Sequence, residues 1–166
     1  MWTFNEFPSA KVGKLYGFAP SPKWLDHVRS SSVRIAGGCS SSFISRQGLV
    51  MTNHHCAVDC VDQLSTQKQN FVETGFYAKA LSNEVKCPDF ELNALTGIEN
   101  VTAEVQNATR GLSGERYSAA VRAENAKLQK ECATSPGIRC DVVSLYHGGI
   151  YNLYKYKRHR DVRLVF

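Results

Sequence analysis

The chain has 166 residues, enough for one domain with its own hydrophobic core. No stretch approaches the ~18 consecutive apolar residues of a membrane-spanning helix, so we predict no membrane partner. The net charge of +5 raises the question of a nucleic-acid partner. Most of the excess lies in residues 147–166, which hold five basic residues and one acidic residue: Lys155, Lys157, Arg158, Arg160, Arg163 and Asp161. Side chains alternate there as in a strand with a solvated basic side, so no nucleic-acid partner is predicted.

The first third of the chain predicts a helix followed by strands. Ser21 and Pro22 begin a short helix over residues 22–31. Residues 32–53 are β-rich runs separated by glycines, which predicts strands. Gly48 is free to adopt the positive φ that a tight hairpin turn requires. A short helical turn is expected next.

The remaining two thirds predict a strand, a helix and three more strands. Residues 61–112 give mixed signals, with a strand near 89–95. Ser113 is a possible N-cap of an amphipathic helix that runs to residue 132. The later runs predict strands over residues 140–147, 150–157 and 161–166.

The cysteines form an even set, which is compatible with an oxidising compartment. The six are Cys39, Cys56, Cys60, Cys87, Cys132 and Cys140. We predict a Cys39–Cys56 bridge across the hairpin, which would stabilise the fold by roughly 3 kcal/mol. A second bridge is predicted between Cys132 and Cys140, across the Pro-Gly turn at residues 136–137. Six cysteines allow fifteen connectivities, so a Cys60–Cys87 bridge rests only on elimination.

Residues 52–56, Thr-Asn-His-His-Cys, carry the most specific chemical signal in the chain. The histidine pair follows a predicted strand, and a cysteine bridge beside it would hold an imidazole rigidly. Chymotrypsin-like barrels present their catalytic histidine in this way, as a general base for a serine hydroxyl. One alternative is a stapled hairpin with a polar end and no chemistry. Zinc binding by His54, His55, Cys56 and Cys60 is disfavoured because the spacing has no standard match.

Motifs along the whole chain resemble the bacterial serine dipeptidyl peptidases of the dipeptidyl-peptidase 7 and 11 type. They are Met1-Trp2-Thr3-Phe4, Phe7-Pro8, Tyr16-Gly17-Phe18, Trp24-Leu25-Asp26, Ser32-Val33-Arg34, Gly48-Leu49-Val50, Thr52-Asn53-His54-His55-Cys56, Glu73-Thr74-Gly75-Phe76, Glu91-Leu92-Asn93, Val101-Thr102, Tyr154-Lys155-Tyr156-Lys157 and Asp161-Val162-Arg163-Leu164-Val165-Phe166. In that family the second histidine of the pair is the triad histidine, which corresponds to His55.

The resemblance implies a mainly β fold with some helix, the N-terminal part of a chymotrypsin-like double β-barrel with the start of a helical excursion. Residues 1–166 would form the N-terminal portion of the catalytic domain, without the second barrel and the helical cap domain. The family's triad Asp and Ser motifs are not present, so this chain alone is expected to be inactive. Gly111-Leu112-Ser113-Gly114 superficially resembles a nucleophile turn, but it does not match the family's serine motif. On chain order alone the triad acid could be Asp89, Glu99 or Asp141, but none of these three residues lies in a family motif.

The sequence therefore predicts part of a serine-type dipeptidyl aminopeptidase that releases dipeptides from the N-terminus of oligopeptides, with His55 as its catalytic residue. The partners would be peptide substrates, with no metal or organic cofactor, and the full-length enzyme could be a homodimer. The family implies a periplasmic or secreted enzyme whose leader is absent from this sequence. The alternative function is a non-catalytic, disulfide-stapled β module that binds protein or peptide.

Overall fold

The computed structural model describes residues 2–166 and divides the chain into two compact units. The first unit joins the chain up to Ser30 with Leu95–Lys157, and the second joins Ser31–Ala94 with Arg158–Phe166. The α-helices are α1 (Ser9–Tyr16), α2 (Pro22–Ser31), α3 (His54–Leu64), α4 (Phe71–Thr74), α5 (Thr102–Ala108) and α6 (Gly114–Cys132). Short 3-10 helices cover Phe4–Glu6, Leu81–Asn83 and Tyr146–Gly148.

The strands form an antiparallel sheet within each unit, and the second unit also has a small two-stranded sheet. They are β1 (Ser32–Ile35), β2 (Ser40–Phe43), β3 (Val50–Thr52), β4 (Val85–Lys86), β5 (Leu92–Asn100), β6 (Ile138–Leu145), β7 (Ile150–His159) and β8 (Arg163–Leu164). In the second unit the strand order is β3-β2-β1-β5, and β4 pairs with β8. In the first unit the order is β5-β7-β6. The described residues therefore form a mixed α/β arrangement, with more helix than the predicted mainly β fold.

Helices α5 and α6 pack on the β6–β7 hairpin to form the core of the first unit. Strand β6 pairs with β7 over its full length, from Ile138 opposite Lys157 to Leu145 opposite Ile150. The buried core residues are Val101, Val105, Cys140, Tyr151 and Leu153, with Val121 and Leu128 of α6 packed against them. Removing these apolar side chains from water is the main favourable term that holds α6 against the strands.

Smaller clusters hold the second unit together. One contains Val33, Ile35, Leu92 and Ala94 of β1 and β5, and the other contains Cys60, Cys87 and Leu164. Strands β1 and β2 pair over three residues, as do β2 and β3. At the turn between β2 and β3, Gly48 has a φ of 89°, as predicted.

Most of the predicted elements are present, but several boundaries were wrong. The helix over 22–31 and the strands within 32–53 are confirmed. The short helical turn expected after the histidine pair is instead the 11-residue helix α3, which includes both histidines. The strand predicted near 89–95 runs instead over Leu92–Asn100, because Asp89 at φ 50° occupies a turn. Of residues 161–166, only Arg163–Leu164 pair as a strand.

All three predicted disulfides are confirmed, including the one that rested on elimination. The Cα atoms are 5.9 Å apart in Cys39–Cys56, 5.3 Å in Cys60–Cys87 and 6.0 Å in Cys132–Cys140. Two bridges lie in the second unit and one in the first. None of the helices in residues 2–166 combines the length and apolar character that crossing a membrane requires.

Candidate active site around His55

The two histidines occupy the first turn of α3, immediately after β3. Strand β3 ends at Thr52, and the extended backbone of Asn53, at φ −75° and ψ 148°, leads directly into the helix. The side chain of Asn53 makes no capping hydrogen bond. Both His54 and His55 are exposed to solvent. An imidazole at this helix terminus can therefore be reached by a substrate or by another part of a protein.

A disulfide and a hydrogen bond hold this helix terminus to the sheet. Cys39 comes directly before β2 and bonds to Cys56, the residue after His55. The hydroxyl of Thr52 donates to the carbonyl oxygen of Ser40, at 3.0 Å. The backbone on both sides of the histidine pair is thus tied to the start of β2. This restricts the positions that the imidazole of His55 can take.

The imidazole of His55 lies beside the sulfur atoms of this bridge. One ring nitrogen of His55 and the two sulfurs of Cys39 and Cys56 are all within 4.8 Å of one another. Both sulfurs are bonded to each other, so neither is a thiolate ligand in this state. The zinc set considered from the sequence also included Cys60, which is buried and bonded to Cys87.

The other candidate residues for a triad lie in different settings. Ser113 is the exposed residue before α6, and its side chain makes no capping hydrogen bond. Asp141 accepts from the Nε of Arg139 at 3.2 Å, and Glu99 is exposed near the end of β5. Among the described residues of the second unit, no carboxylate accepts a hydrogen bond from His54 or His55.

Sequence reasoning missed an ion-pair network in the second unit. Glu91 accepts from the Nε of Arg158 and from the Nδ2 of Asn93, each at 3.0 Å, and Arg160 approaches it at 3.5 Å. In the sequence, residues 91–93 stand out only as a motif shared with the family that the chain resembles. Its partner Arg158 is 67 residues away, so no local pattern connects them.

A second ion pair involves another residue of the basic stretch. The guanidinium of Arg163 donates two hydrogen bonds to Asp161, each at 3.1 Å. This hydrogen bonding lowers the pKa of the Asp161 carboxyl. Together with the pairs at Glu91, it gives acidic partners to Arg158, Arg160 and Arg163.

The family described as Peptidase S46 matches residues 1–166. The chain belongs to the peptidase S46 family. It is 31% identical to an Asp/Glu-specific dipeptidyl-peptidase of Capnocytophaga gingivalis, over 99% of this chain and 24% of the relative. It is 32% identical to dipeptidyl-peptidase 7 of Porphyromonas gingivalis, over 100% of this chain and 24% of the relative. The Asp/Glu-specific dipeptidyl-peptidase of Shewanella putrefaciens is 37% identical, over 78% of this chain and 18% of the relative.

Solved structures of this S46 family share the fold. The crystal structure of Porphyromonas endodontalis DPP11 in complex with the dipeptide Arg-Glu superposes with a TM-score of 0.72 at 30% identity. The match covers 83% of this S46 chain and 21% of the crystallised one. A crystal structure of the same protein in an alternate conformation gives the same TM-score at 29% identity. The chain therefore spans about a quarter or less of the length of the relatives it matches.

Proposed function

We propose that this chain supplies the general-base histidine of a serine-type dipeptidyl peptidase that releases dipeptides from the N-terminus of oligopeptides. The observation that carries the proposal is the position of His55. It is exposed in the first turn of α3, next to the Cys39–Cys56 bridge, in a chain of the S46 family. The relatives bear the names of dipeptidyl peptidases, and one was crystallised with a dipeptide.

The proposed chemistry is acyl transfer by a Ser-His-Asp triad. His55 would accept the proton of a serine hydroxyl as that oxygen attacks the scissile carbonyl carbon. It would then return the proton to the leaving amine. The serine and the aspartate that orients His55 would come from outside residues 1–166. The exposure of His55 is consistent with this, because a general base must be reached by the other reacting groups.

We further propose that residues 1–166 are the N-terminal portion of a chymotrypsin-like double-barrel catalytic domain. The strand before His55 and the disulfide beside it support this proposal. An oxidising compartment, either the periplasm or the exterior of the cell, would be consistent with the three disulfides. The substrates would be peptides with a free N-terminus.

The test is a chimera in which this chain replaces the matching segment of the C. gingivalis Asp/Glu-specific dipeptidyl-peptidase. Hydrolysis of chromogenic dipeptidyl substrates is measured for the chimera and its variants. Substitution His55→Ala should lower kcat about a thousandfold or more, as loss of a triad member does. The neighbouring substitution His54→Ala is the matched control, and kcat per folded molecule should change little.

Two results would contradict the proposal. A well-folded His54→Ala chimera that loses kcat while His55→Ala retains it would reverse the assignment of the two histidines. An active chimera in which neither substitution lowers kcat would remove the general base from this segment. Far-UV circular dichroism of each variant checks that a loss of activity is not a loss of structure. Peptide binding without turnover that survives both substitutions would favour the non-catalytic binding module.

A further inference from the structure

The Cys39–Cys56 bridge holds three metal-ligating atoms together in one place. A ring nitrogen of His55 and the two sulfurs lie within 4.8 Å of one another. Among residues 2–166, this is the one group of three or more His, Cys, Asp or Glu side chains whose ligand atoms converge in this way. Two thiolates and an imidazole are ligands that Zn²⁺ prefers, and the disulfide alone prevents the sulfurs from acting as thiolates.

This bridge is more accessible than the other disulfide of the second unit. Cys39 and Cys56 are both partly exposed, and His55 beside them is exposed. In contrast, Cys60 and Cys87 retain only 1% and 4% of their accessible surface. Thiol–disulfide exchange requires direct attack on a sulfur atom, so the accessible bridge reacts first. A dithiol reductant therefore reaches Cys39–Cys56 before Cys60–Cys87.

We propose that reduction of the Cys39–Cys56 bridge creates a zinc site formed by Cys39, Cys56 and His55. Tetrahedral zinc with bonds of about 2.3 Å to sulfur and about 2.0 Å to nitrogen separates neighbouring ligand atoms by about 3.5 to 3.8 Å. The three atoms are already within 4.8 Å of one another, so rotation of the three side chains is enough to bring them to these separations. The Cα atoms of the two cysteines, 5.9 Å apart, need little displacement.

The reaction balances with a dithiol as the reductant. The sulfur–sulfur bond of Cys39–Cys56 accepts two electrons and two protons, and the dithiol becomes a cyclic disulfide. Zinc then displaces one proton from each thiol, and two Zn–S bonds and one Zn–N bond to His55 form. Water would complete the fourth position, as in zinc sites with three protein ligands.

Zinc at this site would occupy a nitrogen of His55. A ring nitrogen that is bound to zinc cannot accept a proton. While zinc is bound, that nitrogen of His55 could therefore not act as a general base. This effect on catalysis rests on the proposed function, whereas zinc binding rests on the geometry alone. The same three residues would thus switch between a structural bridge and a zinc-binding site according to redox state.

The experiment compares the oxidised and partly reduced chain for zinc binding. The purified chain is treated with a limiting amount of dithiothreitol, desalted under nitrogen, and titrated with Zn²⁺ in competition with a chromophoric chelator. Alkylation and peptide mapping identify the cysteines that became thiols. We expect thiols at Cys39 and Cys56, one bound zinc per reduced chain, and no competitive binding by the oxidised chain.

The two adjacent histidines provide a matched pair of variants. His55→Ala retains both thiols but removes the nitrogen ligand, so zinc affinity should fall by more than the roughly 100-fold that loss of an outer-shell partner costs. His54→Ala should bind zinc as the unchanged chain does. With Co²⁺ as a spectroscopic probe, a tetrahedral thiolate spectrum should change on His55→Ala and persist on His54→Ala.

Several outcomes would overturn the proposal. One is a reduced chain with thiols mapped to Cys39 and Cys56 that does not compete for zinc, and another is equal zinc affinity with and without His55. First reduction at Cys60–Cys87 or at Cys132–Cys140 would also contradict it. If reduction unfolds the chain, recovery of the circular dichroism spectrum with zinc in the unchanged chain but not in His55→Ala supports the site, and no recovery counts against it. Zinc binding that depends on His55 would stand even if His55→Ala leaves the peptidase activity of the chimera intact.

Discussion

The two units differ in what holds them together. In the first, a hairpin of two long strands is covered by the 19-residue helix α6 around a buried apolar cluster. In the second, strands pair over two or three residues at a time, the clusters contain fewer buried residues, and two disulfides cross-link the elements. The unit that presents His55 thus depends more on covalent bridges. An exposed histidine is not held by burial, whereas the Cys39–Cys56 bridge holds the backbone next to His55 and leaves the imidazole exposed.

Complete reduction of the disulfides should reveal the largest difference in stability between the two units. The second unit loses bridges that close loops of 17 and 27 residues, worth about 3 and 3.5 kcal/mol in the loop-entropy model. The first unit loses one bridge over 8 residues, worth about 2.5 kcal/mol. Hydrogen exchange followed by mass spectrometry should show β1–β3 losing protection well before β6 and β7. Equal loss of protection in β1–β3 and in β6 and β7 would mean that the two units do not differ in their dependence on disulfides.

The next largest effect should come from the packed core of the first unit. Leu153 on β7 is 7% exposed, and Leu153→Ala leaves a cavity under α6. The free energy of unfolding should fall by about 3 kcal/mol, measured by urea denaturation. The matched control is Leu15→Ala on α1, where the side chain is 62% exposed and the change should stay within about 0.5 kcal/mol. Similar losses for both leucines would contradict a packing-dependent first unit.

An intermediate effect is expected from the ion pair in the second unit. Arg158→Met preserves much of the side-chain packing but removes a charged donor to the largely buried carboxylate of Glu91. We expect the free energy of unfolding to fall by about 1 to 2 kcal/mol, because Arg160 remains near Glu91. Arg163→Met removes the exposed pair with Asp161 and should leave the denaturation midpoint unchanged. A larger effect of Arg163→Met than of Arg158→Met would reverse this ranking.

The smallest effect concerns the turn between β2 and β3. Gly48 has a φ of 89°, where a Cβ atom is unfavourable although no atom beyond the two neighbouring residues would lie within 4 Å of it. Gly48→Ala should therefore destabilise the chain by about 1 kcal/mol. Gly137 also has open space around it but no positive φ, so Gly137→Ala should be neutral or slightly stabilising. Thermal melting of the two variants should show the difference, and equal melting temperatures would contradict the conformational argument.

Much of the local structure was predictable because it depends on neighbouring residues. Pro22 sets the start of α2, Ser113 immediately precedes α6, and Gly48 occupies the turn predicted for it. The strand predicted near residue 89 was misplaced because Asp89 adopts a positive φ, and no glycine in the sequence indicates a turn at that position. The length of α3 was underestimated because the helix is held by its bridges as well as by its own sequence.

The sequence by itself determined the order of most elements, the residues that match the S46 family and the place of His55 directly after a strand. Only the tertiary structure decided that Cys60 bonds to Cys87, a pairing that the sequence supported by elimination alone, that Glu91 meets Arg158, and that a nitrogen of His55 lies beside the sulfurs of Cys39 and Cys56. The physical reason is the range of the interactions. Helix starts and tight turns follow from neighbouring dihedral preferences, whereas bridges and ion pairs join residues whose separation in space depends on how the whole chain packs.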